Sequence, residues 1–98
     1  LSGRYRLTLK AAEDLKAIND YTARMWGDEQ RRKYLGEMRQ RFRWLADHPR
    51  LGRERPELRD NCYFFPQGEH LIFYAIRSPD IEILSVIYNR SLPDFLKR

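Results

Sequence analysis

Two apolar stripes separated by a single tight turn leave this 98-residue chain few ways to fold. Ala11, Leu15, Ile18, Thr22 and Met25 recur at spacings of three and four, which sets them along one side of a helix. Tyr34, Leu35, Met38, Phe42, Leu45 and Ala46 repeat the pattern between Asp28 and Asp47, where Pro49 stops the run. Between the stripes lies only Trp26-Gly27-Asp28, a helix end, a turn glycine and a new N-cap. Amphipathic helices joined so closely must lie antiparallel. The result is a helical hairpin with one apolar side in need of a cover.

The flanking segments supply that cover. Tyr5-Arg6-Leu7-Thr8-Leu9 alternates as a strand with Tyr5, Leu7 and Leu9 on one face. Arg50 to Asp60, polar and interrupted by Gly52 and Pro56, is read as a connecting loop. Three strands are predicted after it, Cys62 to Phe65, Leu71 to Ile76 and Ile81 to Tyr88. Pro66-Gln67-Gly68-Glu69 and Ser78-Pro79-Asp80 separate them with tight-turn chemistry. The last strands are almost wholly apolar, which predicts burial on both faces near the centre of a sheet. The order is an N-terminal strand, a helical hairpin, then a three-stranded antiparallel meander. That is an α+β fold with the helices on one face of the sheet. A chain this short forms one domain, 1–98, and the tail Leu92-Pro93-Asp94-Phe95-Leu96 carries apolar groups that can dock.

Composition excludes several classes. With 42% hydrophobic and 13% aromatic residues the chain is not disordered. One cysteine rules out a disulfide scaffold or a cysteine-rich zinc finger. No apolar run approaches the roughly 20 residues of a membrane span and no signal-peptide pattern opens the chain. A soluble cytoplasmic domain with no membrane attachment is expected. The net charge of +5 is concentrated, since residues 31–59 alone sum to +6 while the segments on either side sum to zero and −1. Arginines outnumber lysines by 15 to 4, which favours two-pronged contacts with carboxylate or phosphate.

Chemistry that makes or breaks bonds is poorly represented. There is no glycine-rich phosphate loop, and Asp47, His48 and His70 have no metal-ligand spacing, so no cofactor or metal is expected. Cys62 reads as a small buried apolar group. Glu13 and Asp14 point about 100° apart on a helix and make no shared acid pair. An RNA-cleaving site would need an acid, a base and cations, and the sheet end offers Tyr63, His70, Tyr74, Tyr88 and Arg90. The tyrosines read as half-buried packing groups with wet hydroxyls, and His70 as a brace for its turn. Tyr88 and Arg90, two apart, share a strand face and can bind an anion together. No catalytic residue is assigned.

The order and spacing of many residues carry a resemblance. They are Ala12, Asp14-Leu15, Ile18, Tyr21, Trp26-Gly27 and Gln30, then Tyr34, Phe42, Leu45-Ala46, Pro49 and Gly52-Arg53. Glu57-x-Arg59 and Phe65-Pro66-Gln67-Gly68-x-His70-x-Ile72-Phe73-Tyr74 complete the set, which covers nearly the whole chain. In these residues the chain resembles the RelE/ParE toxins of bacterial toxin–antitoxin pairs, the ParE branch most closely. The resemblance implies a helical hairpin on a small, mainly antiparallel sheet. It also implies the toxin of a type II system, held inactive in a hetero-oligomer with a cognate ParD-like antitoxin. The implied target is DNA gyrase, inhibited by protein–protein binding that stabilises its cleaved-DNA state, not by an enzymatic step. Two alternatives stay open: a ribosome-dependent messenger RNA endonuclease of the RelE type, and a non-toxic nucleic-acid-binding or interaction module.

Residue by residue, the resemblance is uneven. Where the RelE branch places a catalytic arginine this chain has Tyr63-Phe64, and Tyr88-Asn89-Arg90 does not match that branch's His/Tyr pair. The ParE branch usually shows Gly, an aromatic residue and a basic residue after Glu-x-Arg; here Asp60-Asn61-Cys62-Tyr63-Phe64 carries no cation. Tyr88 and Ser91-Leu92 stand where a His and a Met-Asp are usual. Antitoxin tails of the family fold on binding, as an amphipathic helix and an extended segment. Trp26, Arg53, Arg59, Phe95 and Leu96 are the antitoxin-binding candidates, and Tyr88 and Arg90 the target-binding ones. Trp26 can instead cap the core, and Arg53 and Arg59 can pair with Glu57 nearby.

Overall fold

The computed structural model describes residues 3–91. Helix α1 spans Leu9–Trp26 and α2 spans Asp28–Asp47, antiparallel and joined through Gly27 alone. Gly27 has φ +90°, a left-handed region where a side chain would be strained, and its amide closes α1 by donating to the Ala23 carbonyl at 3.0 Å. Thr8 caps the start of α1, its hydroxyl accepting from the Ala11 amide at 3.0 Å. Asp28 and Glu29 in the first turn of α2 suit the positive end of its dipole.

The sheet has five strands: β1 (Tyr5–Leu7), β2 (Arg53–Glu54), β3 (Cys62–Gln67), β4 (His70–Arg77) and β5 (Asp80–Tyr88), in spatial order β1-β5-β4-β3-β2. The β3–β4–β5 meander is antiparallel and β1 runs parallel to β5. Central β4 is buried on both faces from Leu71 to Ile76, as its apolar sequence predicts. The helices cover one face, packing Leu15, Ile18, Leu35, Met38, Phe42 and Leu45 against Ile72, Tyr74, Ile81, Ile83 and Val86. Each such large side chain withdrawn from water contributes about 1.5–3 kcal/mol. A second cluster, Cys62, Phe64, Leu71 and Phe73, lies on the opposite face with Leu84 and Ile87 packed against it.

Three expectations need correction. The first strand ends at Leu7 because Thr8 leaves it to cap α1; Leu9 is therefore the first helical residue and stands 77% exposed. Of Tyr5, Leu7 and Leu9 only Tyr5 packs inward, its ring 5.2 Å from that of Phe42. Met25, the last member of the α1 stripe, is 54% exposed because α1 runs past the edge of the core after Thr22. The connection from Arg50 to Asp60 also holds the short strand β2, where Arg53 pairs with Phe64 and Glu54 with Tyr63. Two residues are too few for any periodicity to show.

The sheet has one irregularity, in its longest strand. Phe73 pairs with Ser85 but Tyr74 with Ile83, so Leu84 is an extra residue in β5. The bulge shifts the alternation by one, which puts Ile81 and Ile83 before it and Val86 after it on the same helix-facing side.

Candidate functional site

A groove of about 980 Å³ opens between the far end of the hairpin and the end of the sheet. Ala17, Ile18, Tyr21, Thr22 and Trp26 of α1 form one wall, Gln30 and Tyr34 of α2 close the end, and His70, Val86 and Tyr88 of the sheet form the other wall. It exists because the elements have unequal lengths. β1 stops at Leu7, opposite Ile83, and leaves the rest of β5 without a strand on that edge, the one away from β4. Helix α1 occupies that edge instead. The Thr8 hydroxyl donates to the Leu84 carbonyl at 2.9 Å, and the Asp14 carboxylate accepts from the Val86 amide at 3.0 Å. The bulged strand thus has its polar groups met by helix side chains rather than by another strand.

The floor carries a small polar cluster. The Tyr34 hydroxyl lies 2.6 Å from His70 Nδ1, accepts from the Glu69 amide at 2.9 Å, and is 3.4 Å from the Gln67 carbonyl. This arrangement is best satisfied when Tyr34 donates to a neutral imidazole whose proton sits on Nε2. Burial pushes the His70 pKa down, against the pull of the Glu69 and Asp14 carboxylates, and burial pushes that of Tyr34 up. Both groups are therefore held neutral near pH 7. Gly68, with φ +59°, completes the cluster: a Cβ there would lie 2.5 Å from the Tyr34 ring. The Tyr88 ring meets His70 edge-on at 5.7 Å.

Trp26, 69% exposed, and Tyr88, 40% exposed, are brought together in this groove. Arg90 follows β5 in a 3-10 turn (Asn89–Ser91), not on the strand face expected for it, yet its guanidinium still stands 5.9 Å from the Tyr88 ring centre. Arg53 and Arg59 are not groove residues. Arg53 stands on β2 at the opposite edge of the sheet, its guanidinium 5.9 Å from the Phe64 ring, and Arg59 is exposed in the loop before β3. Glu57 lies 3.7 Å from Arg55 instead of pairing with either. Phe95 and Leu96 lie outside the described residues.

Tyr63 and Tyr74, expected to be half-buried with wet hydroxyls, are buried. Tyr74 donates to the Pro49 carbonyl at 2.7 Å and accepts from the Gly52 amide at 3.1 Å, and burial pushes its pKa up to about 12. Burial likewise raises the Cys62 thiol, on the face away from the groove. Tyr63 and Phe64 are both core, on opposite faces of the sheet, and the cations near that point come from the 50–55 segment: Arg50, which donates to the Tyr63 hydroxyl at 3.3 Å, Arg53 and, 5.0 Å from the Phe64 ring, Arg55. Among the described residues no three His, Cys, Asp or Glu side chains converge to hold a metal ion. What the groove offers is aromatic and aliphatic contact area with a few oriented hydrogen-bonding groups. Sequence reasoning missed Asp14 and Tyr34 as its polar supports; their signal was only a place in a spacing pattern.

Comparison with known proteins gives a consistent answer. Residues 5–93 match the family described as "ParE toxin of type II toxin-antitoxin system, parDE". The chain is 32% identical over 84 residues to "Toxin ParE1" of Caulobacter vibrioides, covering 86% of each. It is 32% identical over 91 residues to "Toxin ParE1" of Mycobacterium tuberculosis, covering 92% of this chain and 93% of that one. Its fold is similar to a solved structure described as "Chromosomal ParDE TA system from P. aeruginosa". The TM-score is 0.72 at 21% identity, over 89% of this chain and 95% of the other.

Proposed function

Because this chain belongs to the ParE toxin family of type II toxin–antitoxin systems, we propose that a cognate antitoxin neutralises it by laying an amphipathic segment into the hairpin groove. Free of that partner, it acts by binding another protein, DNA gyrase, without making or breaking bonds itself. The observation that carries this reading is the groove. Over a floor that includes the buried Ile18 and Val86, its 980 Å³ leave Tyr21, Trp26 and Tyr88 exposed, large aromatic groups that a self-sufficient domain would cover. A helix placed there can seat side chains at spacings of three and four between α1 and β5. Trp26 and Tyr21 are of the residue types that dominate binding energy at interfaces. Tyr88 lines the groove, with the Arg90 guanidinium 5.9 Å from its ring, so an occupied groove also covers Tyr88, one of the two residues proposed to meet the target. Neutralisation is then occlusion.

The test has two parts. Induction of the chain in cells stops growth, and co-expression of its cognate antitoxin restores growth. With purified components, the toxin inhibits gyrase supercoiling and cleaved DNA accumulates. Cleavage of translated messages within codons, with gyrase untouched, would replace this reading with the ribonuclease one.

A further inference from the structure

We propose that the outward ridge of α2 is a binding surface for the phosphate backbone of duplex DNA, separate from the groove and open when the groove is filled. At 100° per residue, Arg32, Gly36, Arg39 and Arg43 fall within about 60° of one another on α2. The three arginines are exposed, and they stand about 10.5 and 6 Å apart along the axis. None takes part in an ion pair or side-chain hydrogen bond among the described residues, where Arg31, on another face, is met by Asp28 and Asn19. Glu29 and Asp47 mark the two ends of the ridge. Tyr34, Arg41 and Trp44, which lean toward the sheet, lie on the far side of the helix, with Arg41 4.7 Å from the Trp44 ring. The ridge therefore faces away from the groove.

Two features favour nucleic acid over an acidic protein. No large apolar side chain of α2 is exposed, so the ridge lacks the aromatic or aliphatic anchor on which protein interfaces depend. A phosphate backbone needs no such anchor, because release of its counterions supplies the affinity. Gly36, in the middle of the ridge, has nothing within 4 Å of where a Cβ would sit. A flat, bare helix surface at that point lets a backbone approach between the arginines. B-form DNA is the better fit, since its major groove admits a helix and that of A-form RNA does not.

The experiment measures binding of the full chain to a labelled duplex of roughly 20 base pairs by fluorescence anisotropy, from about 50 to 200 mM salt. Wild type binds and weakens with salt. The variant Arg32→Gln/Arg39→Gln/Arg43→Gln binds about 10-fold or more weakly at low salt, and its log–log salt slope is shallower by about 2.7, or 0.9 per lost phosphate contact. Arg39→Gln alone, which leaves the helix surface otherwise intact, moves the slope by about a third of that. Trp26→Ala binds DNA as wild type does. Absence of binding by the wild type, or full binding by the triple variant, overturns the proposal. So does equal affinity for duplex RNA, or displacement of the DNA by polyglutamate at matched charge, which would give the ridge to a protein.

Discussion

The Asp14 carboxylate accepts a hydrogen bond from the Val86 amide at 3.0 Å, joining α1 to the outer edge of β5 beyond the end of β1, the edge turned away from β4. A carboxylate on a helix here replaces a strand, and that substitution leaves the groove open. Asp14→Ala strands a half-buried amide, so a loss of about 1–3 kcal/mol in denaturant unfolding is expected. Asp14→Asn keeps an acceptor and loses less. Lys10→Ala, which removes only the exposed partner of Asp14, changes stability by no more than about 0.5 kcal/mol.

Trp26 is largely solvent-exposed, so Trp26→Ala leaves the melting transition nearly unchanged. Antitoxin affinity measured by calorimetry falls at least about 30-fold, near 2 kcal/mol, as for an interface anchor. The opposite pattern, a large loss of stability with affinity intact, would make Trp26 a cap for the core.

Much of this architecture was legible in the sequence, and the reasons it was not fully so are local. The hairpin followed from spacing plus Gly27, and the meander from alternation plus turn chemistry, because each is set by neighbours in the chain. β2 was missed because Arg53 and Glu54 acquire strand geometry only by pairing with Phe64 and Tyr63. Leu9 was misplaced because the Thr8 cap, one hydroxyl on one amide, outweighs two-residue alternation. The groove was invisible as a whole. It depends on β1 being shorter than β5 and on the bulge at Leu84, neither of which leaves a mark in periodicity. Trp26 and Tyr88 could be nominated singly, but their meeting in one groove is a property of the fold.

Tyr74 ties the 49–52 turn to the sheet centre through its two hydroxyl hydrogen bonds. Tyr74→Phe leaves the Pro49 carbonyl and Gly52 amide without that partner and lowers stability by about 1–3 kcal/mol. Its pKa is raised from 10.0 to about 12, so the stability it contributes is complete below pH 10 and is lost as pH rises through 12. Two pKa units correspond to at most about 2.7 kcal/mol. Alkaline unfolding followed by circular dichroism is therefore steeper between those limits in wild type than in Tyr74→Phe.

His70 works in the opposite direction. Burial depresses its pKa below the ordinary 6.5, so its contribution is complete above that value and is lost as pH falls through the folded-state value. Protonation at Nδ1 turns the acceptor of the Tyr34 proton into a donor. The melting temperature of wild type accordingly drops as pH falls below the ordinary 6.5, while His70→Gln, uncharged throughout, shows a flatter profile there. Parallel profiles would contradict this.

The central claim, that the hairpin groove is where the antitoxin sits, is tested most directly by the emission of Trp26. The chain has two tryptophans, and Trp44 is packed against the Phe65 ring, so Trp44→Phe leaves Trp26 as the single reporter. Titration of that variant with antitoxin should shift the emission to the blue and protect it from iodide quenching, saturating at the stoichiometry of the complex. A complex that forms while Trp26 emission and quenching stay those of the free toxin would place the antitoxin elsewhere on the molecule.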